Sequence, residues 1–259
     1  MIAGLQSAFD GFMLMIGNAK VLEPEIRTPG IRDAVMREAV VMENGKVVFH
    51  TEAPGRYEGT WSDGRITLKK AAGHLMTVLR HKKLVAEGCF HAGLYCQGLM
   101  HDMSKFAPSE MLNGFRYYQG GRQSPNNGER VVKGYSEAWM HHKGRNPHHY
   151  EYWTDYSIEA AKRGEYPVQP VQMPRRYVVE MLMDRIAASR VYMKKDYTDA
   201  SPLEYYEKGG AGRLMHPQTA RELEQMLKIL RKKGEKEFYR FVKDYYLRGR
   251  DMGASDRSQ

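Results

Sequence analysis

The sequence predicts an all-α protein carrying a small β accessory segment near its N-terminus. Three observations carry this expectation. From Lys70 almost to the end, apolar residues recur at spacings of three and four, the period of a helix with one buried face. Pro108, Pro147, Pro174, Pro202 and Pro217 each stand where a first helical turn would begin, the position at which a missing N–H is harmless. By contrast, residues 37–68 read as short β runs around Asn44-Gly45 and Asp63-Gly64, the turn chemistry of hairpins.

Taken in order, residues 1–36 suggest one or two helices, broken at Pro24 and at Pro29-Gly30. Two hairpins follow, 40–49 and 57–68. Helices are then expected over 70–87, 89–103, 108–118, 130–142, 147–163, 174–194, 202–208 and 217–247. Asn146-Pro147 and Ser201-Pro202 each offer a capping side chain followed by proline, a strong start signal. A loop of about ten residues runs from Gly120-Gly121 through Ser124-Pro125-Asn126-Asn127-Gly128. The predicted organisation is an accessory segment at 1–69, a helical core at 70–195 and a helical extension at 196–259, with the polar last ten residues frayed.

The bulk numbers narrow the class. At 259 residues and 42% hydrophobic content, with mean hydropathy −0.64, the chain can build a core. No apolar run reaches the roughly 18 residues that a membrane span needs. The N-terminus carries Asp10 and lacks a basic start and a small-residue cleavage site, so a cytoplasmic protein is expected and no membrane partner. The two cysteines, Cys89 and Cys96, fall two turns apart on one predicted helix, about 10 Å, too far for a disulfide. They read as reduced packing residues. A net charge of +9 suits a phosphorylated partner, but the basic residues lie in small scattered groups. Small phosphorylated substrates, nucleotides among them, fit this better than nucleic acid. Oligomeric state has no signature.

The histidines carry the chemistry. Seven of ten fall between residues 81 and 149: His81, His91, His101, His141, His142, His148 and His149. In helix 70–87, His81 shares a face with Val78 and Val85. In the next helix, Leu94, Tyr95, Gly98 and Leu99 form an inward stripe leading into His101-Asp102. A buried carboxylate needs compensation, and a divalent cation supplies it, since imidazole and carboxylate both ligate Fe, Mn or Zn. In helix 130–142, His142 shares a face with Val131, Tyr135 and Ala138. In helix 147–163, His149 shares one with Trp153, Tyr156 and Ala160. His141 and His148 then point elsewhere, as alternates or outer contacts. Asp184 lies on the face of Tyr177, Met181 and Ala188, with Arg185 on another side. His91 reads as packing or surface.

In chain order these positions, His81, His101-Asp102, His141/His142, His148/His149 and Asp184, resemble the H…HD…H…H…D signature of the HD-domain metal-dependent phosphohydrolases. His101-Asp102-Met103-Ser104-Lys105 is similar to their common HD-x-x-K form, with Ser104 where glycine is frequent. The run from His141 to Trp153 further resembles a small, largely uncharacterised family of bacterial and phage proteins, some of which carry the label catalase. No haem signature accompanies it here. The resemblance covers roughly residues 70–195.

It implies an HD-like helical bundle with one or two divalent ions (Mn, Fe, Co, Ni or Zn). The first would be held by His81, His101, Asp102 and Asp184, the second by Asp102, His142 and His149, with Asp102 bridging. The implied activity is hydrolysis of a nucleotide or another small phosphoester, Lys105 facing the phosphate. Arg145 or Arg185 would neutralise charge on the phosphoryl oxygens. Two alternatives stay open. One is an HD-type di-iron oxygenase; the other is a non-enzymatic, basic helical binding protein with a structural metal.

Overall fold

A computed structural model describes residues 38–43, 46–51 and 64–249. The chain divides into two compact units, Met1–Thr60 and Trp61–Gln259. In the first, β1 (Glu38–Glu43) and β2 (Lys46–Thr51) form an antiparallel hairpin, with Val41 opposite Val48. The expected N-terminal helices and most of the expected second hairpin lie outside the described residues. Of that hairpin's second strand, Ile66 and Thr67 are not a strand, and Leu68 opens a helix. Thr67 caps that helix by accepting from the Lys70 N–H.

The second unit is helical. Its α-helices are α1 (Leu68–His91), α2 (Tyr95–Met100), α3 (Pro108–Tyr117), α4 (Pro125–Lys133), α5 (Glu137–Lys143), α6 (Ile158–Lys162), α7 (Arg175–Met193), α8 (Ser201–Gly209) and α9 (Pro217–Phe241). A short antiparallel pair, β3 (Thr154–Tyr156) with β4 (Val168–Pro170), encloses α6. The all-α expectation with a small β-hairpin segment holds. No helix among the described residues is long and apolar enough to cross a membrane.

Helices α1 and α7 pack against each other along the middle of the unit. The core grows outward from that seam: Val85 and Cys89 of α1 meet Val179, Leu182 and Ile186 of α7. Leu203 of α8 and Leu223, Met226, Leu227, Leu230 and Phe238 of α9 complete it. Each large aliphatic side chain so buried contributes about 1.5–3 kcal/mol. This cluster joins residues on both sides of position 195, so the expected division between a core and a C-terminal extension is not a structural boundary. Helices α3, α4 and α5 form a second group, in which α3 contacts α1.

Several expected helices are shorter or broken, for local reasons. The predicted 89–103 helix is interrupted at Ala92–Leu94, where Gly93 takes a positive φ of 81°, the left-handed conformation that ends helices. Cys89 and Cys96 are therefore on different helices. Both are free thiols, but only Cys89 is buried and Cys96 is exposed. The predicted loop at 120–128 stops earlier than expected, since Ser124 caps α4 by accepting from Asn126, with Pro125 in its first turn. Gly134, at φ 82°, then separates α4 from α5, dividing the predicted 130–142 helix. The predicted 147–163 helix does not form, and Asn146 does not cap one. Its place is taken by a turn at Tyr150–Tyr152, then β3 and α6.

Helix α9 holds together across a kink at Gly234 (φ 74°, ψ 174°), a conformation open essentially to glycine alone. A π-turn, Val242–Tyr246, follows it. Its Tyr246 hydroxyl donates to the buried Glu222, 2.5 Å away.

Candidate metal centre

Adjacent residues of an α-helix point about 100° apart, so a helix offers a neighbouring pair of ligands only one inward position. The chain solves this by leaving the helix. Helix α2 ends at Met100. His101 then takes φ −50°, ψ 130°, and Asp102 takes the left-handed conformation at φ 56°, ψ 27°. Both side chains are thereby buried, at 1% and 2% exposure. Of the expected stripe leading to them, Leu94 and Gly98 face inward but Tyr95 is 60% and Leu99 61% exposed. The turn, not a helix face, buries the pair.

The same device recurs downstream. His149 is extended at φ −88°, ψ 129°, and His148 and His149 are both buried. The choice of His149 over His148 was imposed by an assumed helix, and the structure brings both inward. Trp153 steadies this stretch by donating its indole N–H to the Pro147 carbonyl at 2.6 Å. Of the face predicted with His142, Val131 and Tyr135 are exposed while Ala138 and His142 are buried.

Two sets of donors that share Asp102 result, beside a third group of His101, His148 and Glu180. His81, His101, Asp102 and Asp184 converge in one, and Asp102, His142, His148 and His149 in the other. In the first, His81 Nε2 lies 2.9 Å from Asp184 Oδ1 and 3.6 Å from Asp102 Oδ2. His101 Nε2 lies 3.3 Å from Asp102 Oδ2 and 3.6 Å from Asp184 Oδ1. In the second, His142 Nε2 and His148 Nε2 lie 3.2 and 3.3 Å from the other oxygen, Asp102 Oδ1. An ion about 2.1 Å from its donors sets them about 3.0 Å apart across an octahedral edge and about 3.4 Å across a tetrahedral one. The observed separations match that scale, and the two oxygens of Asp102 face the two sets separately.

The outer faces of the rings explain why the Nε2 atoms point inward. Glu180 Oε1 lies 3.0 Å from His101 Nδ1 and 3.2 Å from His148 Nδ1. Glu110 Oε2 lies 2.8 Å from His142 Nδ1, and its Oε1 is 2.7 Å from His141 Nδ1. Carboxylates accept at Nδ1, which fixes the proton there and leaves the Nε2 lone pair for a ligand. Asn146 joins this outer ring by donating to Ser104 Oγ at 2.7 Å and to the His142 carbonyl at 2.7 Å.

The inner atoms fit a metal on a second ground. His81 Nε2, His101 Nε2, His148 Nε2, His149 Nε2 and Asp102 Oδ1 are buried without a hydrogen-bond partner. Close as His81 Nε2 is to Asp184, the two are not aligned as donor and acceptor. Buried polar atoms are normally paired, and a cation among these five orphans could satisfy them together. These buried His, Asp and Glu clusters could hold a metal ion.

The carboxylates and imidazoles of the centre compensate one another electrostatically. Burial alone would raise Asp102, but the His101, Lys105 and His142 charges hold its carboxyl well below the usual range. Asp184 is likewise held low against burial by the neighbouring His101 and His81 imidazoles. Burial, with the charges of His148 and His142, pushes His149 well down, into the neutral form that ligates. His101 and His142 are raised despite burial, by the Asp102 charge and the neighbouring carboxylates, and so lean toward the protonated form and not the ligating one.

The remaining predicted residues divide. Lys105 is in the site, its ammonium paired with Asp102 Oδ2, and not facing away toward open space. His141 is an outer partner through Glu110. Arg145 is exposed and its guanidinium reaches the His141 carbonyl, at 3.5 Å. Arg185 lies over the Tyr206 ring at 5.7 Å, outside both donor sets. Sequence reasoning passed over Glu180 and Glu110. Glu180 had a signal, four residues before Asp184 on the same helix face; Glu110 had none within its own segment.

No curated protein and no solved structure matches the chain. The family of unknown function DUF5662 matches residues 70–229, a span that contains every donor of both sets. That span is well over half of the sequence, and the chain belongs to this family.

Proposed function

We propose that the protein is a metal-dependent phosphohydrolase acting on a small phosphoester, a nucleotide among the candidates, through a dinuclear site of the HD-domain kind. One observation carries the reading: the two oxygens of a single buried carboxylate, Asp102, each face a separate set of unpartnered imidazole nitrogens. That is the donor arrangement of a carboxylate-bridged pair of ions. A divalent pair held there would supply Lewis acidity toward a phosphoryl oxygen and a water of lowered pKa.

The chain's own residues do the rest. Glu180 and Glu110 fix the tautomers and aim of His101, His148 and His142. Lys105, already paired with Asp102 beside the donors, is placed to neutralise an incoming anionic group. Arg145 lends no support to this role, because it is exposed and turned to a backbone carbonyl. Charge supports an anionic substrate: with four carboxylates (Asp102, Asp184, Glu180, Glu110), one lysine and two divalent ions, the centre carries about one net positive charge.

A second reading has its own support. Three imidazoles, His142, His148 and His149, gathered with Asp102 form a nitrogen-rich set suited to iron, as an HD-type di-iron oxygenase would require. Both readings are tested together. The purified protein is assayed for metal content, then for phosphate release from a nucleotide and phosphomonoester panel with Mn, Co or Ni. Metal-stimulated phosphate release is the expected result. A metal-loaded protein that releases none from any ester sinks the hydrolase, and tightly held iron with oxygen-sensitive visible absorption favours the oxygenase.

A further inference from the structure

Lys82 follows the candidate ligand His81 on α1, yet it belongs to neither donor set. Its ammonium donates to two backbone carbonyls, Leu99 O at 2.7 Å and His101 O at 2.7 Å. Both carbonyls sit at the C-terminal end of α2, where the last peptide groups have no helical partner and carry the negative end of the helix dipole. A charged donor satisfies both needs. It also spans the point at which the backbone departs from helix, between Met100 and the left-handed Asp102.

That turn requires support. A non-glycine residue in the left-handed region persists only where its surroundings over-determine it, at a cost of about 1–3 kcal/mol. Helix α2 has six residues, too few to hold its own end rigidly. Helix α1 has 24 and is anchored in the core through Val85 and Cys89. A clamp from the long helix to the short one therefore transfers the rigidity of the core to the ligand turn.

We propose that Lys82 is a positioning residue of the metal centre: by holding the Leu99 and His101 carbonyls it fixes His101 and Asp102 relative to His81. One helix thus places the first donor set twice, once through an imidazole and once through an ammonium one residue later. The inference rests on the metal-centre reading above and adds to it a residue that touches neither ion nor substrate.

The neighbouring lysine provides the control. Lys83 is exposed and its ammonium lies 3.7 Å from Glu87, so Lys83→Met removes the same charge without touching the turn. Full-length protein is stripped with chelator and titrated with cobalt(II), following uptake and the d–d absorption bands. Lys82→Met is expected to bind cobalt about tenfold or more weakly than wild type, with altered bands and little change in the melting temperature of the stripped protein. Lys83→Met should match wild type, and Lys82→Arg should restore most of the affinity.

Cobalt binding by Lys82→Met with wild-type affinity and bands overturns the proposal. So does an equal loss in Lys83→Met, which would reduce the effect to net charge. If Lys82→Met does not fold, Lys82→Gln is titrated instead and the same two results decide. Wild-type protein that takes up no cobalt overturns the metal centre itself, and Lys82 with it. Uptake by wild type that Lys82→Met reproduces overturns only the clamp.

Discussion

Asp102 concentrates most of the chemistry in one side chain. Its oxygens face different donor sets, its backbone is left-handed, and it draws His101, His142, His148 and Lys105 around it. Asp102→Asn keeps the shape and tolerates the same backbone while halving the donor capacity, so its metal content should fall by at least one ion per chain. Elemental analysis beside wild type reads this directly, and an unchanged content would remove Asp102 from the site. Outside the centre, His74 gives an independent test of the structure. Burial and then the Lys105 charge lower it to about 4. In the unfolded chain it titrates near 6.5. Below that pH the unfolded state takes up a proton that the folded state refuses, so His74 destabilises the fold progressively as pH falls from 6.5 toward 4. Urea midpoints at pH 7 and pH 5 should drop less in His74→Gln than in wild type. Equal drops would mean that His74 is not held neutral.

At this scale most of the site was legible. His81, His101, Asp102, His142, His149 and Asp184 all lie in the donor sets. The legible part was chemical: a histidine or carboxylate among apolar neighbours demands a partner, and the sequence shows the demand. Glu110 was invisible because its role depends on α3 meeting α5, which no local spacing encodes.

Elements were read less well, and one cause explains the misses around the paired donors. Helical phasing was extended through 94–103 and 147–163, where neighbouring candidate donors both face inward. A regular helix forbids that, so the chain breaks wherever the site needs two adjacent side chains. The isolated candidate donors His81 and Asp184 sit inside α1 and α7, which were read correctly over most of their lengths. Gly93 and Gly134 were readable as breaks, but each looked like a tolerable glycine inside a periodic run.

Close approach between elements supplies a prediction of its own. His74 of α1 lies against Gly114 of α3, and a Cβ at Gly114 would collide with its ring. Gly114→Ala should therefore destabilise the protein by about 1–3 kcal/mol, measured by urea unfolding. Adding His74→Ala should recover part of that loss. Costs that simply add would show that the two positions do not touch.

For the molecule as a whole, the site and the core are coupled through α1 and α7, which serve both. The buried carboxylates repel one another until a cation satisfies them, so ion binding should stabilise the fold. At an ion concentration one hundred times the dissociation constant the gain is about 2.7 kcal/mol. For a domain near 200 residues this amounts to roughly 5–10 °C in Tm. Differential scanning fluorimetry with chelator and with Mn or Co added back should show that interval, and identical melts would argue against a bound ion in the folded state.

The kink in α9 has a consequence for how the chain is cut. Lys232 and Lys233 are exposed immediately before Gly234, where the helical hydrogen-bond path is interrupted. Trypsin needs an extended, accessible stretch, and the kink supplies one beside two lysines. Brief digestion should nick the folded protein there. Yet the piece released carries Phe238, Val242 and Tyr246, all fully buried, together with the Tyr246 bond to Glu222 on the other fragment. The two pieces should therefore travel as one species in gel filtration and separate only in denaturant. A nicked protein that sheds its tail under native conditions would place those three side chains outside the core.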